Sequence, residues 1–81
     1  MEQIEVKDLV LKIAQTLVDH PEQVTVNEID SGNTVMYELT VSKDDIGKII
    51  GKQGRTANAI RIILSAIGGQ IQKRLVLEII E

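Results

Sequence analysis

From Val6 to Val18 apolar side chains return every three or four positions, at Val6, Leu9, Val10, Ile13, Ala14, Leu17 and Val18. That spacing places them on one face of a first helix. Pro21 sets its end, because proline disfavours helical geometry at the residue before it, and His20 then falls at the negative end of the helix dipole. With no nucleophile or second ligand beside it, this single histidine has a structural role.

The period then changes from helical to alternating. The stretches "EQVTVNEI" and "TVMYELTVS" are rich in β-branched residues, and the second puts Val35, Tyr37, Leu39 and Val41 on one side and Met36, Glu38 and Thr40 on the other. The intervening "DSGN" supplies turn chemistry, which predicts a β-hairpin with its tip at Asp30–Asn33. Ser42 and Asp45 have the spacing of a capping box at the start of a short helix, whose apolar side is Ile46, Ile49 and Ile50. A longer helix after Gly54 gathers Ala57, Ile60, Ile63, Leu64 and Ile67 on one face, and Gly68–Gly69 are expected to close it with a left-handed cap. In the last strand, "KRLVLEII", Leu75, Leu77 and Ile79 point one way. The order α-β-β-α-α-β predicts a two-layer α+β domain, with three helices on one face of a mixed three-stranded sheet.

Composition narrows what such a layer can do. A chain of 81 residues buries a small core, and Tyr37 is its one aromatic residue, so stacking of bases on rings is nearly excluded. The absence of cysteine and the single histidine leave neither a disulfide framework nor a thiolate or histidine metal site, and no cofactor is expected. No apolar run approaches the length of a membrane span, and the amino terminus lacks a basic leader. A soluble, cytoplasmic protein with no membrane partner is expected. Carboxylates are scattered with no nucleophile beside a base, which argues against an enzyme.

The net charge of −3 conceals two halves. Residues 1–45 carry −7, whereas Lys48, Lys52, Arg55, Arg61, Lys73 and Arg74 face only Glu78 and Glu81 in residues 46–81, a balance of +4. Four of the six cations, Lys48, Lys52, Arg55 and Arg61, cluster around "IIGKQGRT", Ile49–Thr56. This is no nucleotide-binding P-loop, since Lys52 is followed by Gln53 and no strand leads directly into it, and it lacks the Gly-x-Gly turn of a dinucleotide site. It predicts a tight helix-Gly-Lys-Gln-Gly-helix turn. Gly51 and Gly54 are expected to take backbone angles closed to other residues and leave no side chain in the way of an oxygen. Free amides at the start of the next helix, with Lys52 and Arg55 beside them, suit a phosphate, and Lys48 is expected on a nearby exposed face.

The stretch "IGKIIGKQGRTANAI", Ile46–Ile60, resembles the signature of the KH domain, whose Gly-x-x-Gly loop between two helices clamps the backbone of a four-nucleotide single strand. The element order resembles the type II KH arrangement. Nearly the whole chain, from the helix ending in "DHP" to the closing "LEI" strand, is similar to small bacterial single-KH RNA-binding proteins. The resemblance implies one KH domain over residues 1–81, with Gly51, Lys52, Gln53 and Gly54 as the phosphate clamp and Arg55 directly after it. It also implies that Ile46, Ile49 and Ile50 line an apolar groove, besides serving the core. The opposite wall is implied to be a sheet edge and the hairpin loop Asp30–Asn33.

The implied function is non-catalytic binding of single-stranded RNA, as an RNA chaperone or post-transcriptional regulator. A module with two to four phosphate contacts is expected to bind in the non-specific range, about 10⁻⁴ to 10⁻⁶ M at physiological salt. Pairing would raise its effective concentration. Ala59, Ile62 and Ala66 form a second apolar patch opposite the core stripe of the long helix. The resemblance implies homodimers, or pairing with a larger KH-containing RNA-binding protein. The alternative function is an adaptor that uses the fold mainly for dimerisation.

Overall fold

The computed structural model describes residues 5–81; Met1–Ile4, the start of the acidic amino terminus, lie outside the described residues. Its elements are α1 (Val6–Leu17), β1 (Thr25–Asp30), β2 (Thr34–Thr40), α2 (Ile46–Ile50), α3 (Arg55–Ile71) and β3 (Arg74–Ile80). They form the expected two-layer α+β arrangement.

β2 alternates so cleanly because it is the central strand, antiparallel to β1 on one side and parallel to β3 on the other. Its inward side chains Val35, Tyr37 and Leu39 are buried, and Leu39, paired with Val26 and Ile79, is 0% exposed. Burial pushes the Tyr37 phenol up to about 12, and the Glu28 carboxylate opposite it acts in the same direction. The helices cover this face with Val10 and Ala14 from α1, Ile49 from α2, and Ile60 and Leu64 from α3.

Four expectations change. α1 ends at Leu17, not beside Pro21: Val18 is already extended, and the backbone N–H groups of Asp19 and His20 donate to the Asp45 carboxylate at 3.2 and 3.0 Å. Pro21 instead opens a single 3₁₀ turn, Pro21–Gln23, so His20 stands outside the helix it was expected to cap.

The capping box does not form, since Ser42 makes no side-chain bond to the turn that follows it and Asp45 faces the loop after α1. Gly68 and Gly69 do not close α3, which continues through both to Ile71 and ends in a left-handed cap at Gln72 (φ 57°). Gly68 is buried, and a Cβ there would strike the carbonyl oxygen of Lys73. Its glycine serves close approach of α3 to the start of β3 rather than an unusual φ. Ile63, placed with the core stripe by spacing, is 43% exposed.

The hairpin tip is fastened to β3. Asp30 Oδ1 accepts the Gly32 N–H at 2.8 Å, and Arg74 N–H donates to the Asn33 carbonyl at 2.8 Å. Lys73 Nζ stands 3.5 Å from Asp30 Oδ2. The Gly32 N–H first, and then the Lys73 charge, hold the Asp30 carboxyl below its ordinary value.

Candidate nucleic-acid interface

α2 is barely more than one turn long and stops at Gly51 (φ 77°, ψ 171°), whose N–H donates to the Gly47 carbonyl at 2.8 Å. The chain then makes a tight 3₁₀ turn, Lys52–Gly54, closed by the Gly54 N–H on the Gly51 carbonyl at 3.1 Å. Gln53 (φ 58°) and Gly54 (φ 74°) are both left-handed, and α3 starts at once with Arg55. Gly51 is required twice over, by its positive φ and because a Cβ would collide with the backbone and side chain of Thr56. At Gly54 the space a Cβ would occupy is open, whereas on the Gly51 side the Thr56 side chain fills it, so the corner is open at its Gly54 end.

Among the described residues no side chain caps α3, which leaves its first amides as donors at the positive end of a helix of 17 residues. Lys52, Gln53 and Arg55 are exposed around this turn. The corner opens onto a shallow hollow of about 350 Å³, lined by Ile50, Gly54, Ala57 and Arg61 on the helical side and by Leu77, Glu78, Ile79 and Glu81 on the strand side. β3 supplies that wall because, among the described residues, it is an edge strand bonded only to β2.

Three placements correct the sequence expectations. Ile49 is 0% exposed and contributes to the core, not to the groove; Ile46 is half-buried against the same core, and of the three isoleucines Ile50 lines the hollow. A helix of five residues has one inward face, and Ile46 and Ile49 occupy it.

The hairpin tip is not a groove wall either. It lies beside Lys73 and Arg74, where β3 begins, whereas the hollow lies along Leu77–Glu81. Lys48 is exposed as expected, but its ammonium is turned to the seam between α1 and α2, with Nζ 2.9 Å from Asp19 Oδ2 and 3.6 Å from Asp45 Oδ1. The Asp19 carboxylate, and then Asp45, raise its pKa.

Two residues carry much of this geometry in roles other than those the pattern gave them, Asp45 as half of a capping box and Arg61 as one of the clustered cations. Asp45 is 0% exposed and joins the end of α1 to the start of α2. Burial opposes its ionisation, yet the N–H groups of Asp19 and His20, with the charges of His20 and Lys48, outweigh burial and hold its pKa below the ordinary value. Arg61 reaches across the hollow, with Nη2 3.4 Å from the Leu77 carbonyl oxygen. It follows Gly54 by seven positions and Ala57 by four, a helical spacing that puts all three on one side of α3. That spacing was the available signal; Asp45 had none beyond its place in "KDDI".

Among the described residues no helix is long and apolar enough to cross a membrane, and no group of three His, Cys, Asp or Glu side chains is placed to hold a metal ion.

Comparison with known proteins follows the same outline. A family model described as "KhpA/KhpB, KH domain" matches residues 7–79. The RNA-binding protein KhpA of Aquifex aeolicus is 53% identical over 75 residues, covering 93% of this chain and 95% of its own length. Those of Listeria monocytogenes and Chlamydia caviae are 47% and 48% identical, again over 93% of this chain, and over 99% and 96% of their own lengths. Among solved structures, a crystal structure of a variant of Aquifex aeolicus Era bound to GDP·AlF4⁻ superposes with a TM-score of 0.56 at 22% identity. It covers 95% of this chain and 31% of that one, a likeness of fold alone.

Proposed function

Since the chain belongs to the KhpA/KhpB KH-domain family, we infer that it is a non-catalytic protein that binds single-stranded RNA across the corner between α2 and α3. The observation that carries this is the open Gly51–Gly54 turn, with uncapped α3 amides behind it and Lys52 and Arg55 beside it. A phosphate oxygen can approach those amides over Gly54, where the Cβ space is open, and the field of α3 favours its charge. Bases then lie over Ile50 and Ala57 against the edge of β3. With no ring to stack on, each base adds modest affinity, so phosphate contacts dominate.

The test is a salt titration with a short unstructured RNA. Two to four neutralised phosphates give a slope of log K against log salt of about −1.4 to −2.8. Lys52→Asp combined with Gln53→Asp sets two carboxylates before the incoming phosphate and weakens binding at least ~10-fold. Both positions are exposed, so the thermal midpoint stays near that of the native chain. Unchanged affinity, or binding with no dependence on salt, overturns this function.

The exposed side of α3 favours a second property. Ile62 is 62% exposed between the exposed small residues Ala59 and Ala66, with Ile63 beside it. Small neighbours allow two helices to approach closely, and this patch pairs two copies, or one copy with a larger KH-containing RNA-binding protein. Pairing sets two grooves on one RNA and raises the effective concentration of the second. Ile62→Asp is expected to convert a dimer into monomers in sedimentation velocity; a variant that remains dimeric removes the patch from consideration. In this form the domain, extending over the whole chain, serves in the bacterial cytoplasm as an RNA chaperone or post-transcriptional regulator. If instead the double variant at Lys52 and Gln53 keeps every partner contact and every cellular effect, the adaptor function is the one in use.

A further inference from the structure

Arg61 is out of place as a phosphate ligand. It lies six residues beyond Arg55 along α3, about 9 Å at 1.5 Å per residue, and so well past the amides at the helix start. The hollow it enters is lined by Glu78 and Glu81 as well, so the local charge is one cation against two carboxylates. An anion is disfavoured there, whereas a neutral group with polar edges is not. Ile50, Ala57 and Ile79 supply apolar wall around it, which suits the flat face of a base.

The guanidinium itself is largely uncommitted. Among the described residues its one bond to protein is long, 3.4 Å from Nη2 to the Leu77 carbonyl, and no carboxylate of theirs lies within 4.0 Å of it. Arginine carries five N–H donors in a planar fork, and that fork matches two acceptors side by side. Guanine offers such a pair at O6 and N7, the commonest arginine contact to a base, and cytosine offers one at O2 and N3. Adenine sets a donor at N6 beside N7, and uracil separates its two acceptors with a donor. Glu78 and Glu81 add a contrast with uracil alone, since guanine, cytosine and adenine all carry amino donors for a carboxylate; discrimination against adenine rests on the arginine fork.

Building on the single-stranded RNA function above, we propose that Arg61 is the specificity-determining residue of the groove, selecting a base with two adjacent acceptors over adenine and uracil.

The test uses the native chain and fluorescence anisotropy with uridine octamers that carry one central guanosine, cytidine or adenosine. The guanosine or the cytidine oligomer is expected to bind about 5- to 150-fold more tightly than the adenosine and all-uridine ones. If guanosine is the gainer, 7-deazaguanosine abolishes the gain. Arg61→Lys keeps the charge and loses the fork, so the ratio of guanosine or cytidine affinity to all-uridine affinity falls to about one while the salt slope is unchanged.

Equal binding of all oligomers by the native chain, or a preference that survives Arg61→Lys, overturns the inference and leaves RNA binding intact. A uniform weakening of every oligomer by Arg61→Gln, with the salt slope falling by about 0.7, also overturns it, because that is the signature of a phosphate contact. Absence of binding to any oligomer overturns the RNA function first and this inference with it.

Discussion

Replacing Asp45 with alanine is expected to lower the midpoint of thermal unfolding by about 10 to 20 °C. The carboxylate accepts the N–H groups of both Asp19 and His20, and its residue is fully buried between α1 and α2. Alanine leaves those two donors without a partner in a place water does not reach easily, and an unsatisfied buried donor is far more costly than a hydrogen bond is favourable. Lys48 keeps its 2.9 Å contact with Asp19, so the loss belongs to the backbone donors rather than to a surface ion pair. Differential scanning calorimetry measures the shift; a change of under about 3 °C would mean that the loop after α1 finds other partners.

Acid titration separates the charge from the shape. The Asp45 pKa is lowered in the fold from an unfolded value of about 3.9, so its ionised form is the one the native state prefers. The stabilisation is therefore complete above that unfolded value and is lost as pH falls through the lower, folded one. The native midpoint drops below about pH 4, and Asp45→Asn flattens that drop without removing it, because Asp30 is shifted in the same direction.

Gly68 and Gly69 are expected to respond to alanine with opposite signs. Both sit inside α3, where helix propensity alone favours alanine by about 0.5–1 kcal/mol. Gly69 has open space at the Cβ position, so Gly69→Ala collects that gain and raises the midpoint. Gly68→Ala drives a methyl group into the Lys73 carbonyl at the junction of α3 and β3. Overpacking of this kind costs about 1–3 kcal/mol, against the smaller gain from propensity, and lowers the midpoint by up to about 20 °C. Equal responses at the two positions would show that the approach of α3 to β3 adjusts freely.

What the chain declares about itself depends on how local each cause is. The alternation of Val35, Tyr37, Leu39 and Val41 announces a half-buried strand because burial on one face acts on every second residue. The turn at Gly51–Gly54 is equally plain, since positive φ angles within four residues call for glycine there. The ends of α1 and α3 are not legible, because each is decided by a residue far away in sequence or across a packed junction. Asp45 draws the backbone out of α1 before Pro21 acts, and the Lys73 carbonyl, not a cap, explains Gly68. The second wall of the groove is hidden for a related reason. It depends on which strand lies at the edge of the sheet, and pairing order is not written in the alternation of any single strand. Ile49 shows the remaining ambiguity: an isoleucine on a short helix can face inward or outward by one step of 100°, and no neighbour in "IGKII" decides between them.

The parallel pairing of β2 with β3 also dictates a sequence of events as the polypeptide leaves the ribosome. Thr34 must wait for Arg74, so the middle of the sheet stays half-clothed throughout synthesis of everything between them. The hairpin can assemble early from neighbours, its register set by its own turn, but the other edge of β2 has no partner until that distant strand arrives. A stalled or truncated nascent chain would thus display Tyr37 and Leu39 along an open ladder, the kind of edge that recruits chaperones or sticks to its siblings.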